Sequence, residues 1–288
     1  MKKGRWLLIA IPAVLIIVAL IIAQLMWKYT DNTGLVMTTY QVSSLRIPQE
    51  FHGFRIAQVA DLHNTEFGEK NSELLSILRE SKPDIIVFTG DQVDVRETRA
   101  EVTVDFVREA VQIAPCYLVT GNHEGGIVEI EQLKTDLEAA GGIWLENNVI
   151  ELQHDGAELT LMGLADPTMD SRFFKLGLEG SVDDTLANLN WDRESYCILL
   201  AHHPEFLEVY SKYGIDLTLC GHAHGGQIRI GETGIIAPHQ GLFPKYDAGR
   251  YDIGSTTMIL SRGLGNSRFP WRVNNPPELV IIELAAVQ

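Results

Sequence analysis

Gly221-His222-Ala223-His224-Gly225-Gly226-Gln227 follows directly on Ile215-Asp216-Leu217-Thr218-Leu219-Cys220. An apolar run that breaks into two imidazoles and paired glycines reads as a buried strand delivering ligands to the rim of a sheet. Alternate residues of an extended segment point the same way, so the spacing predicts that His222 and His224 face one site. Neutral imidazole suits Zn, Mn, Fe or Co, and glycine lets backbone close in on a crowded ligand set. A lone His-x-His is commonly a surface accident. This one gains weight because four upstream runs end in the same way.

Residues 54–60 run into Asp61-Leu62-His63, and residues 84–88 into Thr89-Gly90-Asp91-Gln92-Val93-Asp94. Residues 116–119 run into Thr120-Gly121-Asn122-His123-Glu124, and residues 196–200 into Ala201-His202-His203-Pro204. Helical periodicity separates them: Leu74, Leu75 and Leu78 before the stop at Pro83, then 101–112, then 128–140 closed by Gly141-Gly142. A further short helix is expected near 183–189 and another near 205–213. Strand, ligand and helix repeated this often predict βαβ units with a site at the carboxyl ends of the strands. Short strands with turn signals over 142–163, and again over 228–288, predict a second sheet. The expected fold is an α/β two-sheet sandwich layered α/β/β/α, led in by an edge strand over 35–48.

The strand ends supply Asp61, His63, Asp91, Asn122, His202, His222 and His224. A mixed Asp/His/Asn set is a hard-to-borderline ligand field, too poor in thiolate for a structural zinc knuckle. Seven ligands exceed what one metal needs, so two divalent ions (Mn, Zn, Fe or Co) sharing a bridging carboxylate is the economical reading. A pair ~3.5–4 Å apart can hold a hydroxide between them and clamp a phosphoryl group for in-line attack.

Asp-x-His, Gly-Asp-x-x-Asp, Gly-Asn-His-Glu, Ala-His-His-Pro and Gly-His-x-His, in this order over residues 53–284, resemble the calcineurin-like metallophosphoesterases. The resemblance implies that Asp61, His63 and His224 bind one metal and Asn122, His202 and His222 the other, with Asp91 bridging. It also implies that His123 faces the substrate as proton donor, oriented by Asp94 as a triad carboxylate orients its histidine. In the Ser/Thr phosphatase branch an Arg directly follows the second Asp of Gly-Asp-x-x-Asp; Val95 stands there instead, which argues against phosphoprotein as substrate. The Gly-His-Ala-His-Gly-Gly-Gln run and the tail through Ser261-Arg262-Gly263-Leu264-Gly265-Asn266, Pro270, Arg272 and Asn275-Pro276-Pro277-Glu278 resemble the membrane-associated bacterial YkuE-like and YaeI-like phosphodiesterases. That branch implies hydrolysis of a phosphodiester or pyrophosphate bond, with a lipid-linked substrate among the candidates. A phosphomonoesterase or nuclease would use the same site, and a non-catalytic binding protein would show eroded motifs, whereas every ligand is present.

Residues 6–27 form an apolar run interrupted only by Pro12 and Gln24, long enough as a helix to cover a ~30 Å hydrocarbon core. Lys2, Lys3 and Arg5 precede it, which predicts a cytoplasmic stub and single transmembrane anchor over 1–28 and an extracytoplasmic phosphoesterase domain over 29–288 at a bacterial cell membrane. A cleaved signal peptide is the competing reading, disfavoured by the length of the run and the lack of an Ala-x-Ala site. The net charge is −15; residues 1–28 hold four cationic and no anionic side chains, leaving −19 for the remainder. Such a surface argues against broad nucleic-acid binding but not against a phosphate substrate, provided metals supply local positive charge. Cys116, Cys197 and Cys220 lie in apolar runs and read as small buried hydrophobes. His239 reads as an ordinary loop residue, His203 as a structural neighbour of His202, and Asp166 as a residue of the site's mouth. Arg262 and Arg272 read equally as phosphate ligands or as loop supports.

Overall fold

Helical and extended segments follow the hydrophobic pattern closely. The structure, a computed structural model, describes residues 11–22, 24, 34–170, 173–266 and 269–287. After α1 (residues 11–22) come β1 (Val36–Ser44), β2 (Arg55–Val59), α2 (Ser72–Ser81), β3 (Ile85–Thr89), α3 (Ala100–Ala110), β4 (Cys116–Val119), α4 (Ile130–Ala139) and β5 (Ile143–Trp144). The second half holds β6 (Asn148–His154), β7 (Ala157–Gly163), α5 (Phe173–Asn188), β8 (Cys197–Leu200), α6 (Leu207–Lys212) and β9 (Leu217–Cys220). Four two-residue strands follow, β10 to β13 (Arg229–Ile230, Thr233–Gly234, Ile236–Ala237, Gly241–Leu242), then β14 (Gly249–Ile253), β15 (Thr256–Leu260) and β16 (Glu278–Ala286).

Two six-stranded sheets result, ordered β1-β16-β2-β3-β4-β5 and β14-β15-β9-β8-β7-β6. In the first, β2 to β5 run parallel; in the second, β7, β8, β9 and β15 do. Parallel strands covered on both faces read as unbroken apolar runs. Alternation along each strand divides the core. Ala57, Val59, Ile86 and Phe88 meet Leu74, Leu78, Val107 and Leu137 of the helices on one side. Ile56, Val87, Ile198, Leu200, Leu217 and Leu219 meet between the sheets. Cys197, Leu199, Met258 and Leu260 face Leu186, Leu207 and Tyr210 on the far side. This is the expected α/β/β/α layering. All three cysteines are buried and free.

Some expectations change. Ile143–Trp144 closes the edge of the first sheet beside β4 instead of opening the second. β16, the last strand, inserts between β1 and β2, so the edge strand β1 pairs with the C-terminus. The helix expected near 183–189 is longer, Phe173–Asn188, with a break at Gly177 (φ 74°). The expected membrane span is not met among the described residues: no helix there is long and apolar enough to cross a membrane. Residues 11–22 and 24 of the expected span are helical, and the rest of that span lies outside the described residues.

Candidate metal centre

Five turns at the carboxyl ends of the parallel strands converge on one buried carboxylate. Asp91 follows β3, and one of its oxygens, Oδ1, accepts the backbone N–H of His123 at 2.8 Å. Its Oδ2 is left facing His63 Nε2 at 3.5 Å and His202 Nε2 at 3.3 Å. Asp61 is anchored likewise, through the backbone N–H of His222 at 3.0 Å from Oδ1. Backbone N–H groups thus aim both carboxylates while leaving acceptor capacity for the site.

The turns are tight. Asp61 (φ 51°), His63 (46°), Asp91 (54°), His222 (73°) and His224 (48°) all occupy the left-handed region, which is costly for residues with a Cβ and concentrates at functional sites. Gly121 makes the approach possible: a Cβ there would lie 2.3 Å from Asp91 Oδ1. The expectation that His222 and His224 point the same way along an extended segment is therefore corrected. β9 ends at Cys220, and the left-handed turns splay the two imidazoles apart.

His224 Nε2 meets His63 Nε2 at 3.2 Å and Asp61 Oδ1 at 3.6 Å. His222 Nδ1 instead meets His202 Nε2 at 3.1 Å, and Asn122 Oδ1 lies 3.2 Å from that same Nε2. Two ligand groups form, Asp61/His63/Asp91/His224 and Asp91/His202/His222, each with donor atoms within 4.8 Å and with Asp91 common to both. All seven sequence-derived ligands are thus brought together. They form an Asp61 half and an Asn122 half of one centre.

The second group tests whether a cation fits. The Thr89 carbonyl, which can only accept, lies 2.8 Å from His202 Nδ1, so the ring proton sits there. Nε2 then points its lone pair at two acceptors, Asp91 Oδ2 and Asn122 Oδ1, neither of which the neutral ring can satisfy, with His222 Nδ1 also within reach. A cation resolves this convergence. Burial opposes charge on His202, yet the Asp91 carboxylate holds its pKa well above the imidazole range. Burial pushes Asp91 upward too, but His202 and its hydrogen bond override that and hold Asp91 well below the usual carboxylate range. Elsewhere burial dominates: Asp61 rises to about 7, His63 falls to about 4, and His222 and His224 fall well below 6.5.

His123 lies against His63, ring centroids 4.4 Å apart, and lines a cavity of about 660 Å³ with Asp91, Asn122, His222 and His224. The Val95 backbone N–H donates to His123 Nδ1 at 3.1 Å, which leaves the ring proton on Nε2. The expected orienting bond from Asp94 is not made: its Oδ1 is 3.8 Å from His123 Nδ1, and the carboxylate instead accepts from Arg96 N at 2.8 Å and Nε at 2.9 Å. Turn geometry puts Val95, the residue after Asp94, where the orienting carboxylate was expected.

Several functional residues escaped the sequence reading. The carboxylate of Glu124, last residue of the Gly-Asn-His-Glu motif, accepts from the backbone N–H of Asp91 (2.8 Å), Gly121 (2.7 Å) and Val93 (3.0 Å), tying two ligand turns together. Burial lifts Glu124 to about 8. Gln58 donates to Thr89 Oγ1 at 3.1 Å and to the Cys220 carbonyl at 2.8 Å, joining the two sheets beneath the site. Arg272 is a loop support: it is fully buried and donates to the carbonyls of Arg262 (3.0 Å) and Gly265 (2.5 Å). Asp166 is not at the mouth but buried, 2.8 Å from His203 Nε2. His239, far along the chain, lies 3.2 Å from His222 Nε2, and nothing in its local sequence signals that.

A two-sheet α/β/β/α fold with two His/Asp ligand groups sharing one aspartate defines a class, and the comparisons agree with it. Residues 54–226 match the calcineurin-like phosphoesterase family, and the chain belongs to that family. It is a hydrolase of the metallophosphoesterase type, using two divalent metal ions. Among its relatives is the uncharacterized metallophosphoesterase YkuE of Bacillus subtilis, 31% identical over 264 residues, covering 89% of this chain and 88% of YkuE. Phosphodiesterase YaeI of Escherichia coli is 29% identical over 238 residues, covering 80% of this chain and 82% of YaeI. A transmembrane protein with metallophosphoesterase domain from Danio rerio is 26% identical over 247 residues, covering 83% of this chain but 55% of that protein.

Proposed function

We propose that this chain hydrolyses a phosphodiester or pyrophosphate bond, with one metal held by Asp61, His63 and His224, the other by Asn122, His202 and His222, and Asp91 shared. The observation that carries the reading is the convergence of both ligand groups on Asp91 beside a cavity lined by a histidine whose proton is fixed on Nε2. When bound, the two cations supply positive charge for the phosphoryl oxygens and an activated water. The protein's own part is orientation. Backbone N–H groups hold Asp61 and Asp91, Thr89 sets the His202 tautomer, and Val95 sets that of His123. Nε2–H of His123 then donates to a phosphoryl or leaving-group oxygen. Kinship with a phosphodiesterase favours diesters over monoesters. Turnover of monoesters, diesters and pyrophosphates with Mn, Zn, Fe and Co in turn tests it; exclusive monoester hydrolysis would contradict it.

A lipid-linked substrate is the finer reading. The cavity has an apolar wall of Val95, Ile236, Ala237 and Phe269, and nearby Leu242, Phe243 and Trp271 are exposed. Tyr246, by contrast, is buried. An anchor over 1–28, with a linker of about six residues, would hold the site within some 20 Å of a bilayer, since extended chain spans ~3.3–3.6 Å per residue. Proximity favours lipid-linked phosphates and gives soluble ones nothing. The full chain and a version beginning at Thr30 are compared in liposomes carrying a lipid pyrophosphate. Loss of turnover on removing 1–29 is expected; unchanged turnover sinks the reading.

A further inference from the structure

His222 offers two ring nitrogens to two different neighbours. Nδ1 faces His202 inside the Asn122 half at 3.1 Å, and Nε2 faces His239 Nδ1 at 3.2 Å. A neutral imidazole has one lone pair and one N–H. This inference rests on the proposed function: if His222 holds its metal through Nδ1, the nitrogen that faces His202, the proton must sit on Nε2.

We infer that His239 is a positioning residue, which accepts the His222 Nε2–H on its own Nδ1 and thereby holds the His222 lone pair on the metal. A competing arrangement exists on the same atoms. Glu205 Oε1 lies 3.4 Å from His239 Nδ1, and a proton on that nitrogen would point to the carboxylate. A proton on His222 Nε2 would then face that N–H instead of a lone pair, so it would move to Nδ1 and the ligand position would be closed. The two arrangements exclude each other, so the tautomer of an outer residue governs the availability of an inner one.

His203, Glu205, His222 and His239 also place four donor atoms within 4.8 Å of one another, as a third cation would need. Two facts weigh against that occupant. His203 is bracketed by Asp166 Oδ2 at 2.8 Å and Glu205 Oε1 at 2.9 Å, both acceptors, so both its nitrogens carry protons and neither has a lone pair to give. His222 would have to bind two metals through one ring and lose its last proton. The cluster is therefore a buttress. The His239 ring stacks on His203, centroids 5.4 Å apart and 9° from parallel. Its hairpin is pinned by Gln240, which donates to the Tyr246 carbonyl at 2.7 Å and accepts the Tyr246 N–H at 2.9 Å. His239 itself stands at φ 57°.

Outer partners of metal-bound histidines are worth about 10–100-fold in metal affinity. Co²⁺ is titrated into the full-length protein against a competing chelator, following the visible ligand-field bands. His239→Ala should bind one of two Co²⁺ ions about 10–100-fold more weakly and leave the other unchanged. His239→Asn, whose side-chain oxygen reaches the position of Nδ1, should recover most of that loss; His239→Gln, which places its amide at the position of Nε2, should not. Native affinity for both ions in His239→Ala overturns the inference, as does an Asn variant no better than Gln. Should His239→Ala fail to fold, the Asn and Gln pair carries the test alone. His222→Ala separates the two levels: if it keeps both ions, His222 is not a ligand and the proposed site is wrong, whatever His239 does.

Discussion

The two halves of the centre are built on different physics. The Asp61 half has two carboxylates, Asp61 and Asp91, yet the outer nitrogens of its imidazoles, His63 Nδ1 and His224 Nδ1, are buried and make no hydrogen bond among the described residues. The Asn122 half has only the shared Asp91 for charge, but its imidazoles are held from behind, His202 by the Thr89 carbonyl and His222 by His239. One half relies on charge and the other on orientation. The lesson is that two ligand sets sharing an aspartate need not be perturbed by the same substitutions.

The largest expected effect lies between the halves. His123→Ala should keep both metals and lose roughly 10²–10⁴-fold in turnover, the range for a proton donor. The loss should shrink for p-nitrophenyl esters, whose leaving group needs little protonation; equal losses for good and poor leaving groups would make His123 a phosphate-positioning residue. Next comes the charge-dependent half. Asp61→Asn preserves shape and removes one negative charge. At ~4 kcal/mol for a unit pair 4 Å apart at an effective dielectric of 20, one metal should weaken roughly 10²–10³-fold in a chelator titration. An equal loss at both sites would erase the distinction drawn here. The smallest effect concerns the support common to both halves. Glu124→Gln sets an amide N–H₂ against backbone donors that both carboxylate oxygens now accept, costing about 1–3 kcal/mol of stability, read as a fall in denaturation midpoint. An unchanged midpoint would show that Glu124 is not the tie between the Asp91 and Gly121 turns.

Much of the centre was legible because buried parallel strands advertise themselves. Each is an unbroken apolar run, and the residues that follow are the ones the sheet delivers to its carboxyl edge. Asp61, His63, Asp91, Asn122, His202, His222 and His224 could be picked out that way without any knowledge of pairing. Long-range partners could not. Nothing local places β16 between β1 and β2, or hands Ile143–Trp144 to the first sheet. The left-handed turns that splay His222 from His224 were hidden because most of them fall on Asp and His instead of Gly. That His123 Nδ1 meets the Val95 N–H at 3.1 Å and leaves Asp94 Oδ1 at 3.8 Å is set by the turn's geometry, which residue types do not signal. His239 was invisible for a plainer reason: it reaches His222 from a hairpin with no strand-end signature of its own.

The central claim is that one carboxylate serves both halves, and metal content in two variants tests it most directly. Elemental analysis of the purified wild type should find about two transition metals per chain. Asp61→Ala, which strips one half alone, should keep about one, and Asp91→Ala should keep neither. An Asp91→Ala protein that retains one metal in full would contradict the shared-aspartate account.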